Sequence, residues 1–293
     1  MASLMNESTA ERLERSCGAA GADWIRIAPS CQGLERIEAF FAGHAFDPHR
    51  HDTYAIGFTL HGVQSFRYRG AAEHSVPGQV FVLHPDETHD GHAGTSVGFR
   101  YKILYVEPRA IHDALSERRC PLPFVREAVS TDRRLAAAIM PALGDLDIAL
   151  DELHRDQIIL DLAEALAAAD PSAARRPLSA RHWHGVDTAR DFLDANVQKV
   201  VASAELEAVA GFSRYALARH FRVCVGTSPY RYLVMRRLDR VRSLIRRGTP
   251  LADAAVSCGF ADQSHMTRHF KKVYGMSPGR WAAITVQDAG ASA

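Results

Sequence analysis

No apolar run in this 293-residue chain approaches the ~20 residues that a membrane-spanning helix needs. The opening stretch, MASLMNESTAERLERSCGAAGADW, lacks the basic-then-apolar pattern of an export signal, so a cytoplasmic location is expected. Cysteine is sparse: Cys17, Cys31, Cys120, Cys224 and Cys258 are odd in number and show no CxxC spacing. Reduced thiols suit that pattern better than a disulfide framework does. Overall charge is nearly absent too, at +1. That balance conceals a division. Residues 1–185 hold 19 Lys/Arg against 25 Asp/Glu, whereas residues 186–293 hold 16 against 9. The basic third attracts a polyanion and the remainder repels one. With 47% apolar residues and enough length for two cores, the chain reads as a globular protein of more than one domain.

The most informative stretch runs from Thr249 to Trp281 and reads as two short helices around a tight turn. Thr249 is placed to cap the first, with Pro250 in its first turn, where a missing N–H costs nothing. Ala252, Ala255 and Val256 form its thin apolar face. Gly259 supplies the left-handed residue that a sharp helix–helix turn needs. Asp262 is placed to cap the second helix, in which Met266, Phe270, Val273 and Tyr274 share one face by their i, i+4, i+7, i+8 spacing. Gln263, Ser264, His265, Arg268, Lys271 and Lys272 lie on the other. Such a helix can enter a DNA major groove, although an ordinary solvated amphipathic helix shows the same pattern.

A repeat separates these readings. Arg219-His220-Phe221-Arg222, followed by Gly226, Ser228 and Pro229, matches Arg268-His269-Phe270-Lys271, followed by Gly275, Ser277 and Pro278. The offset is 49 residues throughout. Upstream, at an offset of 48, Gly211-Phe212 answers Gly259-Phe260, and Leu217, Phe221, Cys224 and Val225 repeat the buried spacing. Two copies of one supersecondary unit, each a helix-turn-helix, therefore occupy the basic third. Between them, residues 230–247 form a long helix with Tyr230, Leu233, Val234, Leu238, Val241, Leu244 and Ile245 in one stripe. Two readers on a rigid spacer can enter successive major-groove turns, roughly 34 Å apart.

On these residues, above all ADAAVSCGFADQSHMTRHFKKVYGMSP, positions 186–285 resemble the DNA-binding domain of the AraC/XylS family of bacterial transcription regulators. The resemblance covers about a third of the chain. It implies double-stranded promoter DNA as a partner, RNA polymerase as a further one for an activator, and no catalytic role. Carried over position by position, it places Arg214, Tyr215 and Arg219 at the base-facing side of the first recognition helix. Gln263, Ser264, His265 and Arg268 take those places in the second. Arginine can bridge guanine O6 and N7, and glutamine can pair with adenine. Lys271, Lys272 and the arginines of the connecting helix are expected to hold phosphates. Two departures stand out. Ala218 occupies a place where a polar reader is usual. Glu207 falls where a small packed residue is usual, so that it is either buried at a cost or turned outward against phosphate.

The N-terminal half has a different period. Tyr54, Ile56, Phe58 and Leu60 alternate, as do Phe99, Tyr101, Ile103 and Tyr105, with short runs 63–68 and 80–83 and turns at Pro77-Gly78 and Pro85-Asp86 between them. Strands so spaced fit a small sandwich or barrel. His49 and His51 form an HxH pair, and Gly78, Pro85 and His89 follow at the spacing of a cupin turn, resembling the effector-binding domain of many AraC-type proteins. That resemblance implies a small-molecule effector pocket rimmed by His49, His51, Tyr54 and His89. Three readings stay open for the histidines: a binding pocket, purely structural histidines, or a metal site in a cupin metalloprotein, enzyme or metal sensor fused to the DNA-binding domain. Against the metal, Asp52, Thr53, Tyr54, Ala55 and Ile56 supply no glutamate after the HxH pair. No metal or other cofactor is therefore assigned.

The expected organisation is α+β multidomain: a tail (1–24), a cupin-like barrel (25–107) and a helical segment (108–170) that packs on it. A linker (171–185) and an all-α double helix-turn-helix domain (186–285) follow. Within the helical segment, helices are expected at residues 110–115, 133–143 and 146–169. The leucines of the last, together with the family resemblance, imply a homodimer.

Overall fold

The period-two segments pair as strands β1 (Trp24–Ile27), β2 (Leu34–Phe41), β3 (His44–His49), β4 (Tyr54–Gly62), β5 (Gln64–Tyr68), β6 (Ala71–Ser75), β7 (Val80–Leu83), β8 (His89–Ala93) and β9 (Phe99–Val106). Two-residue strands β10 (Val129–Ser130) and β11 (Thr285–Val286) complete the sheets. This computed structural model describes residues 23–115, 122–170 and 180–286. Cys17, Cys120, nearly all of the expected tail and positions 171–179 of the expected linker lie outside the described residues. Cys31, Cys224 and Cys258 are free thiols.

A seven-stranded sheet, ordered β10-β7-β4-β9-β2-β1-β11, faces a four-stranded sheet, β3-β8-β5-β6. Phe41, Phe81, Phe99 and Tyr101 from the large sheet and Phe66 from the small one fill the interior. Phe66 and Phe81 meet edge to face across it, 6.5 Å between ring centres. The expected cavity inside the barrel is therefore occupied by aromatic side chains.

Three helices cover the outer face of the large sheet: α1 (Pro108–Ala114), α2 (Arg133–Leu143) and α3 (Glu152–Ala169). Tyr54, Ile56, Val80, Val82, Leu104 and Val106 pack against them. A sheet buried on both faces reads as continuous apolar runs, which is the reason Val80–Leu83 shows no alternation. The third helix starts at Glu152 rather than at residue 146, because Asp151 caps it by accepting from the His154 N–H. Ile158, Leu162 and Leu166 point into the core, while Leu153 and Leu160 stay on the surface.

The C-terminal third forms α4 (Ala180–Ala195), α5 (Ser203–Ala210), α6 (Arg214–Val225), α7 (Pro229–Arg246), α8 (Leu251–Ser257), α9 (Gln263–Tyr274) and α10 (Pro278–Ile284). Helix α4 begins inside the stretch expected as linker, with Trp183 stacked on His112 of α1. Pro250, not Thr249, is the residue before α8, a shift of one at a frayed end. Tyr232 and Leu233 of α7 enter the core of the first helix-turn-helix, and Val234, Leu238 and Val241 that of the second. One helix thus belongs to both units, which fixes their spacing. After α10 the chain returns to the barrel, where β11 pairs in parallel with β1.

Candidate nucleic-acid interface and effector cavity

In α9, Met266, Phe270 and Val273 are buried, and a 3.6-residue period therefore turns Ser264, Arg268 and Lys271 outward. All three are exposed, as are Gln263 and Lys272. Asp262 caps the helix by accepting the His265 N–H at 2.7 Å. In α6, Leu217, Phe221 and Cys224 are buried, leaving Arg214, Tyr215 and Arg219 exposed. The barrel thus leaves both candidate reading faces uncovered. His265 is the exception among the expected readers: it is half-buried on the flank of α9, with Nε2 3.0 Å from His269 Nε2.

The connecting helix corrects an expectation. Three of its arginines face the barrel rather than a phosphate backbone. Arg231 Nε lies 2.8 Å from Asp86, Arg236 reaches Asp52 at 2.9 Å and Glu107 at 3.1 Å, and Arg242 holds both oxygens of Glu35 at 2.6 and 3.0 Å. A fourth, Arg237, is buried and donates to the carbonyls of Val197 and Lys199 at 2.7 Å each. Part of the charge division between the two halves is therefore spent on their own interface.

Between the barrel mouth and the second helix-turn-helix lies a cavity of about 280 Å³. Ile37, Phe46 and Tyr101 line its barrel side, and Met235, Met276 and Trp281 its helical side. Its polar rim is Glu35, Asp52, Arg236 and Arg242, with His49 and His51 in the wall. The Arg242 guanidinium stacks over Tyr274 and Trp281, 4.9 and 5.0 Å from their ring centres. Burial pushes the Asp52 carboxyl up to about 6 despite its contact with Arg236.

The four expected effector contacts divide. His49 and His51 reach the cavity. His89 stands behind them, with ring centres 4.2 Å from His49 and 4.9 Å from His51, and does not line it. Tyr54 is on the opposite face of the sheet, where its hydroxyl donates to the Pro123 carbonyl at 2.7 Å. Strand parity decides this, since adjacent residues of β4 point to opposite faces and Ala55 takes the inward place. Each of the three imidazoles donates its Nδ1–H to a backbone carbonyl: His49 to Asp47, His51 to Thr53 and His89 to Glu87. In His51 this leaves Nε2 as an acceptor that is buried without a partner. Burial, reinforced by the neighbouring rings, pushes His49 well below the usual range and His51 down to about 3; burial takes His89 to about 4. This histidine cluster is uncharged at neutral pH. Among the described residues, no group of three or more His, Cys, Asp or Glu side chains is placed to hold a metal ion.

Comparison with known proteins agrees with this geometry. Residues 32–167 match the family model of the AraC-like ligand binding domain, and residues 206–283 match a helix-turn-helix domain model. The chain belongs to the AraC family of transcription regulators. Among curated relatives, the HTH-type regulator YbfI of Bacillus subtilis is 27% identical over 239 residues, 78% of this chain and 86% of that protein. The probable regulator LumQ of Photobacterium leiognathi is 35% identical over 92 residues, covering 31% and 37%. Among solved structures, ToxT of Vibrio cholerae aligns over 87% of this chain and all of its own at a TM-score of 0.63 and 9% identity, a likeness of fold. A ToxT structure with an unsaturated fatty acid bound aligns at 0.59 and 11%, over 89% of this chain and 94% of that one.

As an AraC-family protein the chain departs at Glu207, and the structure explains how that residue is accommodated. Its carboxylate accepts the Arg214 N–H at 2.6 Å and lies 3.4 Å from Arg214 Nε. Ser213, in the cap position, makes no such bond. Glu207 therefore does the capping of the first recognition helix and restrains its first arginine. Sequence reasoning missed Glu35, Asp52 and Asp86, the acidic residues that meet the connecting helix. Their signal was the acidic balance of the N-terminal half, which pointed to a region rather than to positions.

Proposed function

We propose that this AraC-family DNA-binding regulator carries its effector in the cavity between barrel and second helix-turn-helix, not inside the barrel. The observation behind this reading is the shared wall: Glu35, His49 and Asp52 come from one domain, and Arg236, Arg242 and Trp281 from the other. A ligand that spans both favours one arrangement of the two domains over another, which is what effector control of DNA affinity requires. The mixture of two arginines, aromatic rings and methionines suits an amphipathic molecule with an anionic or strongly hydrogen-bonding head. DNA is read by Arg214, Tyr215 and Arg219 in one groove turn and by Gln263, Ser264 and Arg268 in the next, with Lys271 and Lys272 on phosphates.

The protein acts in the cytoplasm as a homodimer, without a catalytic role, as an activator or a repressor, and alongside RNA polymerase where it activates. The dimer reading draws on Ile148, Leu153 and Leu160, 59, 77 and 40% exposed on and beside α3. Footprinting of the whole protein on the promoter beside its own gene, with and without metabolites selected by thermal shift, tests the reading. Protection of two sites a helical turn apart, altered by a metabolite, is expected. A metabolite that stabilises the protein and leaves the footprint unchanged would overturn effector control through this cavity.

A further inference from the structure

His220 and His269 hold the same place in the two repeats, each directly after a candidate reading arginine. In the first repeat the partner ring is His182 from α4, with ring centres 4.1 Å apart. In the second it is His265, one turn earlier on the same helix. The ring centres of His265 and His269 are 4.8 Å apart, and their Nε2 atoms are 3.0 Å apart. Two ring nitrogens at that distance share one proton, with one donating and the other offering a lone pair. The Ala261 N–H points at His265 Nδ1 over 3.4 Å, which places the shared proton on His265 Nε2 and leaves His269 Nε2 as acceptor.

Two imidazole nitrogens bound to one ion at about 2.0–2.1 Å, with a ligand angle between square and tetrahedral, stand about 2.8–3.4 Å apart. The pair already has that separation without any change of rotamer. From this geometry we propose that His265 and His269 form a bidentate site for a borderline divalent transition-metal ion, of the zinc, nickel or copper(II) class, on the flank of the second recognition helix. Neutral imidazole prefers these ions to magnesium or calcium. Loading requires His265 to move its proton from Nε2 to Nδ1, releasing the long contact from Ala261. Both Nε2 lone pairs then bind the ion, no net proton is lost, and water fills the remaining positions. Phe260 backs both rings, at 5.6 and 6.0 Å, and keeps them on this side of the helix. The ion would sit on the side of α9 that carries Arg268 and Lys272, so its occupancy bears directly on the DNA-binding face.

Titration of the whole protein with copper(II) or nickel(II), followed by calorimetry and, for copper, by electron paramagnetic resonance, tests the site. One ion per chain with a two-nitrogen signature is expected. His265→Gln and His269→Gln should each weaken that same site roughly a hundredfold, because loss of one arm removes the intramolecular advantage of the other. Both positions are partly exposed, and circular dichroism checks that each variant is folded. Metal binding of wild-type affinity and stoichiometry in either folded variant would overturn the proposal, as would a wild-type signature with no second nitrogen.

Discussion

The Asp47 N–H donates to the Gly275 carbonyl over 2.8 Å, so that strand β3 of the barrel caps the C-terminal end of the second recognition helix. The Arg50 N–H adds a second bond, to the Lys272 carbonyl, at 3.1 Å. The repeat-equivalent glycine of the first unit, Gly226, lies against Pro85 and Pro108 of the barrel side. Both recognition helices therefore end on the effector-binding domain. The segment that caps the second one also carries His49, a wall residue of the cavity.

Gly275→Ala is expected to damage this junction beyond its backbone cost. Gly275 and Gly211 have similar left-handed φ values, 66° and 68°. A Cβ at Gly275 meets the Asp47 carbonyl oxygen at 2.7 Å and His49 Nδ1 at 2.8 Å, whereas at Gly211 nothing lies within 4 Å. Both variants should lose about 1 kcal/mol to strain. Gly275→Ala should lose more and raise hydrogen exchange at residues 47–50. Equal losses of stability with unchanged exchange would refute the coupling.

Asp86 gathers Arg50, Arg222 and Arg231 with its own carboxylate 8% exposed. Asp86→Asn keeps a residue that tolerates its φ of 62° and removes the charge. Denaturant titration should show a loss of about 1–3 kcal/mol. Arg222→Gln, at a mostly exposed position, should cost no more than about 1 kcal/mol. The reverse order would place the energetic weight elsewhere.

Arg268→Ala is expected to cost ~1–3 kcal/mol on the cognate site and to relax preference at one base pair, while Lys271→Ala weakens all sequences alike. Binding should fall steeply with salt, as counterions are released from the phosphates. Isotherms on cognate and scrambled duplexes decide it; identical losses for the two variants on both would sink the assignment.

Effector binding should alter Trp281 fluorescence, since this indole lines the cavity. At 100 times its Kd the effector should stabilise the protein by ~2.7 kcal/mol. Trp281→Phe should abolish the optical change, and a ligand whose signal survives that substitution binds elsewhere.

Stability should fall on acidification from about pH 6.5. His51 and His84, at about 3, and His89, at about 4, are held below the unfolded value of about 6.5 by burial. Between those limits the unfolded chain binds more protons, so lowering the pH favours unfolding. Asp52, raised to about 6, acts in the opposite sense between that pH and its unfolded value near 4. The histidines outnumber it, and a net loss on the order of a few kcal/mol is expected between pH 7 and 5. Thermal melts across this range that show rising stability would contradict the buried neutral imidazoles.

The sequence by itself determined the helix-turn-helix pair, because a 49-residue repeat, two left-handed glycines and a 3.6-residue apolar period are local features. Period-two alternation likewise announced β4 and β9, and exposure of Arg268 followed from where Met266 and Phe270 must go. Tertiary structure decided the rest. Tyr54 and Ala55 are both apolar in a strand buried on two faces, so composition could not say which faced inward. The arginines of α7 read as DNA contacts because a helix surface carries no label for its partner. Only the packed barrel, presenting Glu35, Asp52 and Asp86 at matching positions, turned them into a domain interface and placed the cavity there. Long-range charge pairing leaves no local period in a chain, and that is the physical reason it could be seen only in the fold.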